Sequence, residues 1–123
     1  MLWAELKELK TPNSVTHVIQ QILNHYFIQM CSYRGGDVRD KILIDNKSKF
    51  IISDEADNET FKPEYYTIRS LLSYLTATEQ GAVDNQQFIE TDINVDSCKN
   101  ALKSIFGLMG QDQHYSMMMG KEN

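Results

Sequence analysis

The chain has 123 residues, 41% hydrophobic and 24% charged, a balance that suits one folded domain and excludes a disordered segment. Twelve basic against seventeen acidic residues leave a formal charge of −5. Direct nucleic-acid binding is therefore not expected, because phosphate contacts need a concentrated basic surface, and Lys41, Lys47 and Lys49 are a thin basis for one.

The first segment, from Leu2 to Leu9, predicts a short amphipathic helix with Leu2, Leu6 and Leu9 along one side. Its acidic and basic residues are interleaved, unlike a secretory leader, and no stretch approaches the roughly 20 apolar residues that cross a membrane. A cytoplasmic protein is expected. Thr11-Pro12-Asn13-Ser14 breaks the helix, and Asn13 or Ser14 is expected to cap the next one.

That next helix has the clearest pattern in the chain. Val15, Val18, Ile19, Ile22, Leu23, Tyr26, Phe27, Met30 and Cys31 recur at three- and four-residue intervals. The periodicity predicts a long central core helix over about residues 14–34, roughly 30 Å in length, closed by Gly35-Gly36. The two cysteines, Cys31 and Cys98, both fall in apolar helical patterns. Both are expected to be reduced and buried.

From Asp37 to Lys62 the pattern supports two readings. Ile42-Leu43-Ile44 and Phe50-Ile51-Ile52 flank the polar run Asp45–Lys49. These residues predict either a small β-hairpin near 42–52 or a helical turn followed by an extended piece. Ser53 to Thr60 (SDEADNET) lacks the glycine and closing glutamate of a calcium loop, so a solvated acidic loop is expected. Pro63 suits the first position of a helix that continues through Tyr65, Ile68, Leu71, Leu72 and Leu75. Gly81 marks a loop, and Phe88-Ile89 is too short to assign. Asn94 or Asp96 then starts the last major helix, with Val95, Cys98, Ala101, Leu102, Ile105, Phe106 and Met109 inward and Gly110 closing it. His114 to Met119 predicts one or two further turns. The expected fold is mainly α, a single helical domain over 1–123.

The ending QDQHYSMMMG, from Gln111 to Gly120, raises the question of a soft-metal site, since thioethers and imidazole suit Cu(I). Consecutive helical residues point about 100° apart, so Met117, Met118 and Met119 cannot all face one ion. Tyr115, Met118 and Met119 do share a face, which is the spacing that packing requires. His17 and His25 are eight residues apart on the long helix, too far for a shared metal. Arg34-Gly35-Gly36-Asp37 lacks the lysine and hydroxyl of a P-loop, and Gly120-Lys121 is followed by Glu122, where Ser or Thr is required. Neither glycine pair nor tail can cradle a triphosphate. No nucleophile elbow or zinc-ligand spacing occurs. No catalytic set, metal or cofactor is expected, and the chain is not expected to be an enzyme.

Three stretches together carry a resemblance. Leu2-Trp3 through Leu6, with the long helix reading VIQQILNHYF from Val18 to Phe27 and the Gly35-Gly36 pair, is similar to an "LW-x-x-L … N-x-x-R-R-I-L-E-x-Y-F" segment. Ile68 to Leu75 resembles an "R-S-L-I-S-W-I" helix. Ala101 to Phe106 and His114 to Gly120 resemble a closing "F-x-x-I-F … H-Y-N-M-M-M-G". In this combination they resemble the C-terminal segments of AAA-type P-loop ATPases with coiled-coil insertions, a group related to the anticodon-nuclease ATPases. Such proteins are associated with bacterial defence and have heads like those of ABC and SMC proteins.

The resemblance covers nearly all of this chain but only the tail of the family's domain, so the Walker and signature elements would precede Met1. Gln20-Gln21 replaces the family's Arg-Arg pair, and Thr76 to Gly81 replaces its "N-D-G-S-H". The resemblance implies a noncatalytic helical lobe, acting as a fragment or docking piece on itself as a homodimer or on a P-loop ATPase partner. Tyr26, Phe27, Tyr115, Met118 and Met119 are its expected packing or interface residues. Arg34 and Arg69 are candidate phosphate or interface contacts. The alternative is an independent small cytosolic helical interaction module.

Overall fold

A computed structural model of the chain describes residues 2–8, 12–80 and 94–120; the expectations at Leu9, Gly81 and Phe88-Ile89 lie outside them. The fold is mainly α with one small antiparallel sheet. Helix α1 (Leu2–Glu8) is followed by α2 (Pro12–Leu23), which runs directly into a π-helical segment (Asn24–Met30). Helix α3 (Gly35–Leu43) leads through a 3₁₀ turn (Lys47–Phe50) into the strands β1 (Ile51–Ser53) and β2 (Glu59–Phe61). Helices α4 (Pro63–Gln80), α5 (Val95–Leu108) and α6 (Asp112–Met119) complete the described chain.

Helix α2 is central. It packs on α1, α4 and α5, while α4 also packs on α3 and α5. Val15, Val18, Ile19, Ile22 and Leu23 are all buried, as the periodicity requires. Several of these are β-branched and are only moderate helix formers, so burial rather than propensity holds α2 in place. Each fully buried aliphatic side chain contributes about 1.5–3 kcal/mol relative to exposure. The same continuous core takes in Ile68, Leu71, Leu72 and Leu75 of α4 and Cys98, Ala101, Leu102, Ile105 and Phe106 of α5.

Helix boundaries follow local chemistry. Pro63 opens α4, where its missing N–H costs nothing. Asn94 caps α5 by accepting from the Ser97 N–H at 2.7 Å, while the Ser97 hydroxyl oxygen accepts from the Asn94 N–H at 3.0 Å. This reciprocal pair satisfies two donors that the helix start would leave open. Gly110, with φ of 74°, lies just beyond α5 in the left-handed conformation expected of a closing glycine. Helix α2, by contrast, begins at Pro12. Asn13 and Ser14 therefore lie inside it and are not its caps.

The long helix departs from the sequence expectation in its last turns. It is continuous from Pro12 to Met30, but its final seven residues wind as a π-helix. A wider turn rotates less per residue, so the 3.6-residue stripe slips out of phase with the core. Tyr26 and Phe27 remain buried, whereas Met30 is 61% exposed and Cys31 is exposed. The expectation of a buried Cys31 is thus corrected; Cys98 is buried. Nor do Gly35 and Gly36 close the long helix. Ser32 takes the left-handed turn, with φ of 61°, and the glycines open α3.

Gly35 is needed there because α3 and α4 touch backbone to backbone. A Cβ on Gly35 would stand 2.5 Å from the Leu75 carbonyl oxygen and 2.7 Å from its carbon. Of the two readings of 42–52, the second describes the chain: Ile42 and Leu43 end α3, and Ile51-Ile52 are extended. The hairpin pairs Ile51 with Phe61 and Ser53 with Glu59, so the acidic run forms its turn. Asp54 organises that turn by accepting from the N–H groups of Ala56 and Asn58, each at 2.9 Å. The Asn58 donors hold its carboxyl below the usual range.

Two glycine substitutions should therefore act in opposite directions. Gly35→Ala forces backbone atoms apart and is expected to lower the unfolding free energy by about 1–3 kcal/mol. Gly107→Ala, inside α5 with nothing within 4 Å of its Cβ position, is expected to raise it by about 0.5–1 kcal/mol. Urea denaturation of both variants beside the parent measures the pair.

Candidate functional site

The residues singled out in the sequence gather around Phe106. This ring is fully buried in the last turn of α5. Trp3 of α1 meets it edge-on at 5.5 Å between centroids, and Phe27 and Tyr26 of the π segment approach to 4.9 and 5.2 Å. From α6, His114 lies parallel to it at 6.0 Å and Tyr115 is tilted against it at 6.0 Å. Edge-to-face and offset pairs of this kind add stabilisation beyond their buried area.

Each ring is delivered by a different local structure. Trp3 comes from the first turn of α1 and Tyr26 and Phe27 from the π segment. The tight turn at Gly110 folds α6 back, allowing His114 to stack on Tyr26 at 4.2 Å. The Tyr26 hydroxyl donates to the Gln111 Oε1 at 2.7 Å, fixing the start of α6 to the π segment. Burial, followed by the neighbouring Cys31, pushes the Tyr26 phenol up, so it stays protonated and remains a donor. Met118 and Met119 are half-buried against the core, whereas Met117 is 69% exposed.

Tyr26, Phe27 and Tyr115 are therefore brought together, with Met118 and Met119 beside them. Arg34 and Arg69 lie elsewhere. Arg34 is exposed at the start of α3, where its carbonyl accepts from the Asp37 and Val38 N–H groups. Arg69 lies over the rings of Tyr66 and Tyr65 at 5.4 and 6.0 Å. Tyr65 stacks on Phe61 at 3.9 Å, and Lys47 covers Phe61 at 5.9 Å. The Phe61–Tyr65 stack ties the hairpin to α4, and the two cations cover its ends through cation–π contacts. Arg69 follows Tyr65 and Tyr66 at ordinary helical spacing, but the Phe61 stack was not legible in the sequence, because Phe61 comes from β2 and shares no periodicity with α4.

Gln111 was also missed. The signal that could have found it was the need of a buried tyrosine hydroxyl for an acceptor.

The chemistry of the Phe106 cluster is that of packing. His114 is surrounded by the rings of Trp3, Tyr26 and Phe106. His17 and His25 are exposed and bond to Gln21 and Gln29 one turn away. Among the described residues, no three His, Cys, Asp or Glu side chains are placed to hold a metal ion. An open groove beside α6 is lined by Asp112, Gln113, Ser116, Met117 and Gly120. The Cys98 thiol, 3.8 Å from the Thr16 hydroxyl, is pushed up by burial. No described helix is long and apolar enough to cross a membrane. The chain matches no protein-family model, no curated protein and no solved structure.

Burial lowers the His114 pKa below the ordinary imidazole value, which is about 6.5 in the unfolded chain. The unfolded state then binds the proton more readily. This contribution to stability is complete above about pH 6.5, declines as the pH falls below it, and levels off below the folded-state value. Denaturation midpoints measured from pH 7.5 down to about 4.5 should show that decline, and His114→Phe should remove the part due to this ring.

Proposed function

We propose that this chain is a noncatalytic helical lobe akin to the C-terminal end of defence-associated AAA/ABC-like P-loop ATPases. It would work in the cytoplasm by docking on a P-loop ATPase or on a second copy of itself. The observation that carries this reading is the convergence on Phe106. Trp3, Tyr26, Phe27, Phe106, His114 and Tyr115 come from the stretches that bear the resemblance, and they pack as one aromatic cluster. Residues kept together for packing, with no phosphate cradle among them, describe a lobe rather than a nucleotide site.

A second observation favours docking over a closed, independent module. Met30, Ile44 and Met117 are 61%, 60% and 69% exposed, Ile52 47% and Tyr33 41%. Single exposed apolar residues are ordinary, but Met30, Cys31 and Tyr33 crowd together at the end of the π segment and in the short connection to α3. An apolar edge of this kind suits a protein surface. Arg34, exposed at its end, would supply a charged contact at the rim, where arginine is favoured.

Calorimetric titration of ATP–magnesium into the isolated chain is expected to give no binding heat. Micromolar binding would overturn the noncatalytic reading. Sedimentation velocity across the micromolar range separates the two forms of docking: association of the chain alone supports the homodimer, and a strictly monomeric chain leaves only the ATPase-docking form. Failure of the chain to bind P-loop ATPase heads carrying the family's Walker and signature elements but lacking this lobe would then overturn that form.

A further inference from the structure

The segment from Asn24 to Met30 lies where two helical registers compete. Continued from α2 in the α register, Met30 and Cys31 would extend the stripe that buries Ile19, Leu23, Tyr26 and Phe27. In the π register Met30 is exposed, Cys31 is exposed beside the Tyr26 hydroxyl, and Ile28 packs against the core instead. Burial thus sets an isoleucine in one register against a methionine and a cysteine in the other. π-helical turns are rare and frequently lie at functional sites.

The backbone shows where an exchange would occur. The Cys31 N–H donates to the Tyr26 carbonyl at 2.9 Å, five residues back, and the Tyr33 N–H donates to the Phe27 carbonyl at 2.8 Å. An α turn would move the Cys31 N–H to the Phe27 carbonyl, four residues back, and release Tyr33 from it. The same change would free Ser32 from its left-handed φ of 61°, a conformation unfavourable to any residue with a Cβ. Gly35 limits how far the change can spread, because its contact with the Leu75 backbone holds α3 against α4.

We propose that residues 24–34 form a two-register switch. The π register presents Met30, Cys31 and Tyr33 as an apolar edge, and the α register draws Met30 and Cys31 back along the core stripe and withdraws that edge. A protein that docks on the edge would bind only the π register and so hold it. The switch is a property of the free chain and does not depend on what docks.

Two measurements on the intact chain test it. Nitrogen-15 relaxation dispersion should show microsecond-to-millisecond exchange at the amides of residues 28–33, the range of helix register shifts, with none at residues 15–22. The fitted minor state should have helical carbonyl shifts at Cys31 and Ser32. Flat profiles at 28–33, or a minor state without helical shifts, would overturn the proposal. Native-state alkylation with iodoacetamide should then modify Cys31 and spare the buried Cys98. A carbamidomethyl group on Cys31 cannot follow the stripe inward, so the exchange should disappear. Exchange that persists unchanged after Cys31 is modified would also overturn the proposal.

Discussion

The fold depends on the burial of one ring. Phe106 is the surface on which the start of the chain, the end of its central helix and its last helix all pack. Without it, α6 would lose the ring on which His114 and Tyr115 pack, and α1 would be left to Leu6 and its packing on α2. Helix α6 has no fully buried residue of its own, and an isolated helix of that length is marginal in water. It is held by half-buried side chains laid over a ring that α5 provides and by the Tyr26–Gln111 hydrogen bond.

The same constraint bears on the irregular end of the central helix. Tyr26 and Phe27 are adjacent in sequence, and both must reach Phe106 while Tyr26 also meets His114 and Gln111. The π turn keeps both neighbours on the core side, as the α turns of α2 keep Ile22 and Leu23. Its consequence falls on the next residues, where Met30 and Cys31 are turned out to solvent. The apolar edge of the molecule thus follows from a change of helical pitch right beside its aromatic centre. Docking, if this edge serves it, is coupled to the core through the same few residues.

Much of this organisation was legible in the residues. The stripe from Val15 to Phe27, Pro63 at the head of α4, Asn94 at the head of α5 and Gly110 behind it all behave as their local chemistry dictates. Tyr115, Met118 and Met119 share a packed face for the simple reason that helical neighbours three and four apart do so. What could not be read was any feature arising from two distant segments at once. The Gly35-Gly36 pair looked like a helix stop because glycine tolerates left-handed angles. Its use was set by the Leu75 backbone forty residues away, which leaves no mark on the local sequence. Likewise, Phe61 met Tyr65 of α4 only when the hairpin folded onto that helix.

The sequence by itself determined the mainly helical class, the core faces of α2, α4 and α5, and the residue types that would meet at the end of the chain. Those are periodic or nearest-neighbour properties, governed by 3.6-residue spacing, capping and side-chain polarity. Only the tertiary structure decided where α2 changes pitch, which cysteine is buried, and that Phe106 is the point of convergence. Each of these depends on the shape of a surface supplied by another segment, and burial against that surface outweighs the small intrinsic preference of a few residues for one helical register over another.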